Sequence, residues 1–480
     1  MITSFCAAVL LVISCAVNPV TGKKQIMLMS ESQEIALGIS YDPQVLATFG
    51  VYQDDELQNY VQARGTEMGK LSHRPTLEYH IRVVDSPVVN AFAVPGGFIY
   101  FTRGIMAQLN NEAEFMGVLG HEMGHITARH TVSQQSKQQL GTLVLIGGMI
   151  ASEKFAQYAE YAMQGMQLLF LRFSRDDERE ADRLGVEYSS KTGFDAHKMA
   201  DFFKVLQKMN MAESQGGVPT FLSTHPDPGD RYNSVNQKAS EWQSTLSMPE
   251  WTVNQDGYLR LIDGMVYGED PRQGYVEGNV FYHPDLKFRF NFPTGWKLEN
   301  SPIQVTMGPP DGKALILFTL SPQKTLESAV DSTMAQYGLS IMGSRRINVN
   351  GLQAIMTQSK QVNQDQSTGT TSTNMVLSYF IYYNNLIYVF HGVSTEADFN
   401  SYANLFNSSM TSFAKLTDAS KINVKPKKLH VVRVQRNGTL ADAFSYYRVP
   451  QSQYNELALL NDLELNSNLT AGKLIKIVGE

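Results

Sequence analysis

The chain has 480 residues, 43% of them hydrophobic, with a formal charge of -6 and a pI near 6.0. That length supplies roughly two to four domains, each able to bury a core of its own. The acidic balance gives no electrostatic footing for nucleic acid, which is excluded as a partner class.

The first residues, MITSFCAAVLLVISC, form a short apolar run closing on Val12-Ile13-Ser14-Cys15, the pattern of a bacterial lipoprotein signal cleaved before Cys15, against the alternative of an ordinary buried helix, since no Lys or Arg opens it. Cys15 would then carry the lipid anchor, and Ala16 after it points to the outer membrane by resemblance to lipoprotein sorting. Cys6 and Cys15 both lie in this segment, so the mature chain is expected to hold no disulfide. Residues 16–29, with Asn18-Pro19-Val20-Thr21-Gly22, read as a tether. Residues 30–50 and 54–71 have helical spacing and are expected to pack behind a central helix.

Strand alternation runs from Tyr79 to Val84, then over Val88–Val94 and Phe98–Thr102, a hairpin about Pro95-Gly96-Gly97. Asn90, Ala91, Phe92 and Ala93 form a candidate sheet edge to pair with an extended peptide substrate, against the alternative of an ordinary core hairpin.

The next stretch, NNEAEFMGVLGHEMGHITARHT, states a reaction. Asn111 with Glu114 three residues on is a capping pattern, and Phe115, Val118, Leu119, Met123 and Ile126 keep helical spacing. Gly117, Gly120 and Gly124 make a second stripe. Each costs about 1 kcal/mol against alanine, so a second helix or a strand is expected to press against it. His121 and His125 lie one turn apart on one face, where two imidazoles share a metal and Glu122 stands beside them. That pattern suits one zinc ion per chain: zinc lowers the pKa of water to about 7, and Glu122 takes the proton as the water attacks a peptide carbonyl.

The run Leu140–Ala151 is shorter than the roughly 20 residues of a membrane span and reads as core packing or as a hydrophobic cover. After Ser174 comes RDDEREADRLG. Helical phase puts Glu178, Ala181, Asp182 and Gly185 on one stripe, and Asp176, Arg179, Glu180, Arg183 and Glu187 on another, wetter one. Small residues beside Glu178 let that stripe approach the glycines, so Glu178 is the candidate third ligand, with Glu180 and Asp177 as alternatives on the wetter side. Asp182, one turn on, is placed to accept a hydrogen bond from a ligating histidine.

NAFAVPGGFIYFTRGI, VLGHEMGHITARH, FSRDDEREADRLG and THPDPGDR, in this order, resemble the M48 family of zinc metallopeptidases over about residues 25–240, in its soluble periplasmic lipoprotein branch. The resemblance implies a gluzincin-type fold, mostly helical with a small edge sheet. It carries over His121, His125 and Glu178 as zinc ligands, Glu122 as catalytic base and Asp182 as their support. It also implies that His225, in Ser223-Thr224-His225-Pro226, approaches the zinc, closing a latent site or stabilising the tetrahedral intermediate. His130 is read as structural, as are His73, His80, His197, His283, His391 and His430. Repeats of about 34 residues, which many relatives append for partner binding, are not found.

From Phe281 onward strands dominate, with two helices, as in a separate α+β domain. The last fifty residues read strand, helix, helix, strand and resemble a LysM module, which implies peptidoglycan binding, against a protein-contact module of the same fold. The expected class is α+β, with a signal segment at 1–14, a metallopeptidase domain at 15–270, an α+β domain at 275–420 and a LysM-like βααβ domain at 428–480. The function expected is endopeptidase cleavage of unfolded or misassembled envelope proteins, in the periplasm and tethered to the outer membrane. Polypeptides are the substrates and outer-membrane assembly machinery is an implied partner. The alternatives are a chaperone or assembly factor with a latent zinc site, and a cell-wall-binding protein.

Overall fold

The computed structural model describes residues 15–22, 24–26, 29–134, 173–212, 221–226, 230–364 and 371–480. The signal segment at 1–14 and the apolar run Leu140–Ala151 lie outside the described residues. Among the described residues no helix is long and apolar enough to cross a membrane.

At the centre lies the helix Glu112–Thr127, buried at every position. Asn111 caps it by accepting from the Glu114 N–H at 2.9 Å, as its sequence predicts. The first helical N–H groups go to another segment: Glu112 and Ala113 donate to the carbonyls of Asn254 and Val253. Beside this helix, Arg175–Lys191 starts on a capping box between Ser174 and Asp177. The glycine stripe is where the two meet. A Cβ on Gly120 would lie 2.9 Å from the Gly185 carbonyl oxygen, and one on Gly124 would lie 3.2 Å from the Ala181 Cα. Small residues on both helices therefore let the backbones touch, which sets the spacing of the side chains above the contact. The phase of the second helix holds for Glu178, Ala181 and Asp182, but Glu187 is buried as well, held by Arg183 and Lys191.

Helices Glu31–Phe49 and Asp55–Leu71 pack alongside. A three-stranded sheet places Phe98–Thr102 between His80–Val84, parallel to it, and Ala91–Val94, antiparallel to it. The hairpin turns on Gly96 and Gly97, both at positive φ. Its first strand starts at Ala91, not at Val88, because the Asn90 carbonyl is taken by Thr102 and the chain before it turns away. Residues expected as a tether are instead pinned: Cys15–Val17 pairs with Lys24–Ile26, and Asn18 is buried with its amide 3.5 Å from the Ala128 carbonyl.

Residues 275–415 form a seven-stranded antiparallel sheet and a four-stranded one. Helix Leu326–Tyr337 covers one face of the larger sheet and helix Phe399–Thr411 the other. That core is its own. The last segment has strand Lys428–Arg433, helices Leu440–Tyr446 and Tyr454–Leu460, and strand Leu474–Gly479 paired back to the first. Its apolar residues, Leu429, Phe444, Leu460 and Ile475 among them, join the same core as Phe115, Leu119 and Met123 of the central helix. Lys476 is fully buried, and its Nζ donates to the carbonyls of Ala107, Gln108 and Leu109 at 2.8, 3.0 and 3.1 Å. Three donors thus meet three carbonyls at the end of the short helix Arg103–Gln108.

Candidate metal centre

His121, His125, Glu178 and His225 converge, each fully buried, with one ligand atom apiece all within 4.8 Å of one another. His121 Nε2 lies 3.1 Å from His125 Nε2 and 3.2 Å from His225 Nδ1. Glu178 Oε1 is 3.0 Å from His225 Nδ1 and 3.5 Å from His125 Nε2, while its Oε2 is 3.5 Å from His121 Nε2. Two of these residues come from the central helix, one from the second helix across the glycine contact, and one from the segment after the short helix Phe221–Thr224.

The outer partners decide which ring nitrogens carry lone pairs. Asp182 Oδ1 is 3.0 Å from His121 Nδ1 and accepts its N–H, so His121 Nε2 faces the centre as a lone pair. Arg231 holds that aspartate with two nitrogens, at 2.6 and 2.9 Å, and reaches Glu178 Oε2 at 3.3 Å. On the other side, His130 Nε2 is 3.2 Å from Glu180 Oε2, and His130 Nδ1 is 3.0 Å from His125 Nδ1. With the carboxylate accepting, a neutral His130 accepts from His125 Nδ1–H, and His125 Nε2 also presents a lone pair. Two lone pairs 3.1 Å apart beside a carboxylate repel unless a cation sits among them. This donor set, three imidazoles and one carboxylate, fits a divalent metal of zinc's chemistry.

Glu122 stands beside this group, fully buried, and among the described residues neither carboxylate oxygen has a hydrogen-bond partner; His225 Nε2 is 3.5 Å from its Oε1. Burial pushes its carboxyl above the usual range, only partly offset by His225 and His121. Burial would do the same to Glu178, yet His225, His125 and His121 together hold it well below that range. Burial drives the His125 imidazole well below its ordinary value, against the pull of Glu178, which keeps it neutral as a ligand must be. For His225, burial lowers the affinity for a proton, but Glu178 and Glu122 outweigh it and raise the imidazole. Phe173 stacks on His125 at 3.9 Å and Phe221 on His225 at 4.3 Å, while the Arg231 guanidinium lies 3.7 Å from the centre of the Phe203 ring.

The comparisons with known proteins point the same way. Residues 55–239 match the model of Peptidase family M48. The matched stretch spans the small sheet, the central helix, Glu178 and His225. Over 253 residues the chain is 29% identical to the Beta-barrel assembly-enhancing protease of Yersinia pestis, an alignment covering 50% of each chain. It is 25% identical over 221 residues to the protein of that name from Escherichia coli (strain K12), covering 44% of this chain and 45% of the relative. To the mitochondrial Metalloendopeptidase OMA1 of Bos taurus it is 31% identical over 172 residues, 34% of this chain and 32% of the relative. The chain spans about half the length, or less, of the curated relatives it matches.

Every residue singled out for the metal chemistry is therefore in one place: His121, His125, Glu178, Asp182, Glu122 and His225. Asn90 and Ala91–Ala93 line the outer strand of the small sheet, buried, with the Thr224 hydroxyl 3.4 Å from Asn90 Oδ1. Glu180 and Asp177, weighed as ligands, face His130 instead. Cys15 opens a strand far from this chemistry in sequence. His130, read as structural from sequence, instead contacts His125 and Glu180 beside the candidate ligands, and Arg231 had no assigned role. Arg231 closes the THPDPGDR segment, the one available signal; His130 falls five residues after His125, off the i, i+4 stripe.

Proposed function

We propose that this chain is a zinc-dependent endopeptidase of gluzincin type, with His121, His125 and Glu178 holding the metal. The observation that carries the reading is Glu122, a fully buried carboxylate without a hydrogen-bond partner among the described residues, beside four converging candidate ligand residues. Such a group costs several kcal/mol in a structural role and has a use as a proton acceptor. Zinc, when bound, supplies Lewis-acid polarisation of the scissile carbonyl and eases the deprotonation of water. Glu122 accepts the proton from the attacking water and returns it to the leaving nitrogen. The raised carboxyl suits both halves of that task. Asp182 and Arg231 fix the His121 ring, while Glu180 and His130 fix His125. The strand Ala91–Val94, with Asn90 before it, aligns an extended substrate along the cleft.

His225 supports a second reading, since its Nδ1 stands within the ligand set as a fourth residue. In that state the site is latent, and the chain acts as a chaperone or assembly factor that cleaves rarely. Turnover of an unfolded protein by His225→Ala separates the two: a rise identifies a peptidase held in check, and continued silence with metal retained favours the chaperone.

The substrates on this reading are unfolded or misassembled envelope polypeptides, and outer-membrane assembly machinery is the partner. Support comes from the names of the Yersinia and Escherichia relatives. The lipid anchor at Cys15, the periplasmic face of the outer membrane and peptidoglycan binding by the βααβ segment at 428–480 rest on sequence pattern. Mass of the processed N-terminal peptide and pull-down on cell wall with and without that segment test them.

A further inference from the structure

The seven-stranded sheet ends on two unlike edges. One, Lys297–Asn300, is four residues long and is tied to the linker before it, with the Asn300 amide donating to the Gln273 carbonyl at 3.0 Å. The other, Ser340–Val349, is ten residues long, roughly 33 Å, and pairs with Leu352–Gln364 alone. Its turn fixes which backbone groups are left over. Asn350 and Gly351 form a two-residue hairpin loop, both at positive φ, so Val349 and Leu352 close it by exchanging N–H and carbonyl. Alternation back from that pair turns the N–H and carbonyl of Ile347 and Arg345 inwards, and those of Asn348, Arg346 and Ser344 outwards. Among the described residues nothing bonds to those outward groups. Every residue from Ser340 to Arg346 is exposed, Ile341 and Met342 at 47% and 59%.

We infer that the edge Ser340–Val349 is a docking surface for an extended, acidic strand of another polypeptide, which adds to the sheet as an eighth strand. The unmet groups call for a backbone in extended form, since only a strand supplies donors and acceptors at that alternation. Charge selects among strands. The two outermost strands, 340–349 and 352–364, carry Arg345, Arg346 and Lys360 and no acidic residue, in a chain whose net charge is -6. Arg345 and Arg346 point to opposite faces, so a partner meets a cation on either side. Arg346 reaches Glu327 of the covering helix at the surface, where both side chains stay more than half exposed, at 75% and 53%. The same charges disfavour a second copy of this chain. Antiparallel pairing about the strand's centre would set Arg345 of each copy diagonal to Arg346 of the other. The bulge between Ile341 and Gly343 works in the same direction, as it interrupts the flat register that self-pairing needs. This surface belongs to the domain with its own core and stands apart from the metal chemistry.

The test uses the full chain carrying Glu122→Gln, which keeps the probe intact, and fluorescence polarisation of a labelled peptide alternating valine and glutamate. Its counterpart has lysine for glutamate. Ser344→Pro removes an outward N–H and leaves the inward ladder whole, so it blocks a further strand without unpairing the existing ones. The inference predicts that the parent prefers the glutamate peptide and that Ser344→Pro weakens its binding at least about tenfold, with the melting temperature of the parent. Arg345→Glu, at an exposed position, keeps the test decisive should the proline disturb the sheet. It should weaken the glutamate peptide roughly fivefold and strengthen the lysine peptide. No binding by the parent, equal binding of the two peptides, or binding that both variants leave unchanged overturns the inference. A parent dimer in sedimentation that Ser344→Pro dissolves gives the edge to a second copy and overturns it as well.

Discussion

Two groups of buried charge flank the central helix, and they are built to different standards. At its C-terminal end Glu34, almost fully buried, is shared by Arg74 at 2.8 Å and Arg129 at 2.7 Å. Arg74 also donates to Glu31 and to the Ile126 carbonyl, and Arg129 to the Met29 carbonyl. Each oxygen and guanidinium has its partners, and the helix end is capped in the process. In the candidate metal centre lone pairs face one another, and among the described residues neither oxygen of Glu122 has a hydrogen-bond partner. A chain that completes one network and leaves its neighbour incomplete marks the second as the place where something else must bind or react.

The sharpest break of that contrast is Glu34→Ala. It removes the carboxylate shared by two buried guanidinium groups, leaving them Glu31 and main-chain carbonyls, and the expected loss is about 3 kcal/mol of unfolding free energy in a denaturant titration. A change under about 1 kcal/mol would mean that the completed network carries no more weight than a surface pair.

Next comes His130→Ala. It leaves the candidate ligands in place but removes the partner of His125 Nδ1. Zinc affinity, measured by competition with a chelator, should fall roughly 10- to 100-fold, with an unchanged fold by circular dichroism. Unaltered affinity would return His130 to a purely structural role.

The smallest effect is one of pH, at Lys476 and Glu114. Burial lowers the Lys476 ammonium to about 7, against the pull of Glu114 and Asp462. Burial also raises the Glu114 carboxyl to about 7, despite the Asn110 N–H and Lys476. Between the ordinary carboxyl value and about 7 the folded chain holds the extra proton, so stability falls as pH rises; from about 7 to the ordinary lysine value the unfolded chain holds it, and stability rises again. Relative to the Glu114→Gln, Lys476→Met double variant, the native chain should therefore show a stability minimum near pH 7. A flat difference would contradict the assignment.

Local rules made the metal centre legible. His121, Glu122 and His125 follow helical spacing, the caps at Asn111 and Ser174 announce both helices, and the glycine stripe predicts the partner that brings Glu178 in. His225 came from family resemblance alone, since a loop position has no phase to read. Lys476 shows where such reading stops. A lysine in the strand Leu474–Gly479 reads as solvent-facing, and only the fold reveals that it reaches carbonyls 367–369 residues away. The pinning of Asn18 and the burial of Glu187 were hidden for the same reason, being set by distant packing.

The most direct test of the account is peptide release from an unfolded protein by the zinc-loaded chain beside Glu122→Gln of equal metal content, with thermal melts of both. The account predicts release by the native chain, a loss of about 10²- to 10⁴-fold in the variant, and a higher melting temperature for the variant, because a neutral amide replaces a buried carboxylate whose desolvation His225 and His121 only partly offset. Equal release by both chains, or a variant that melts lower, would contradict it.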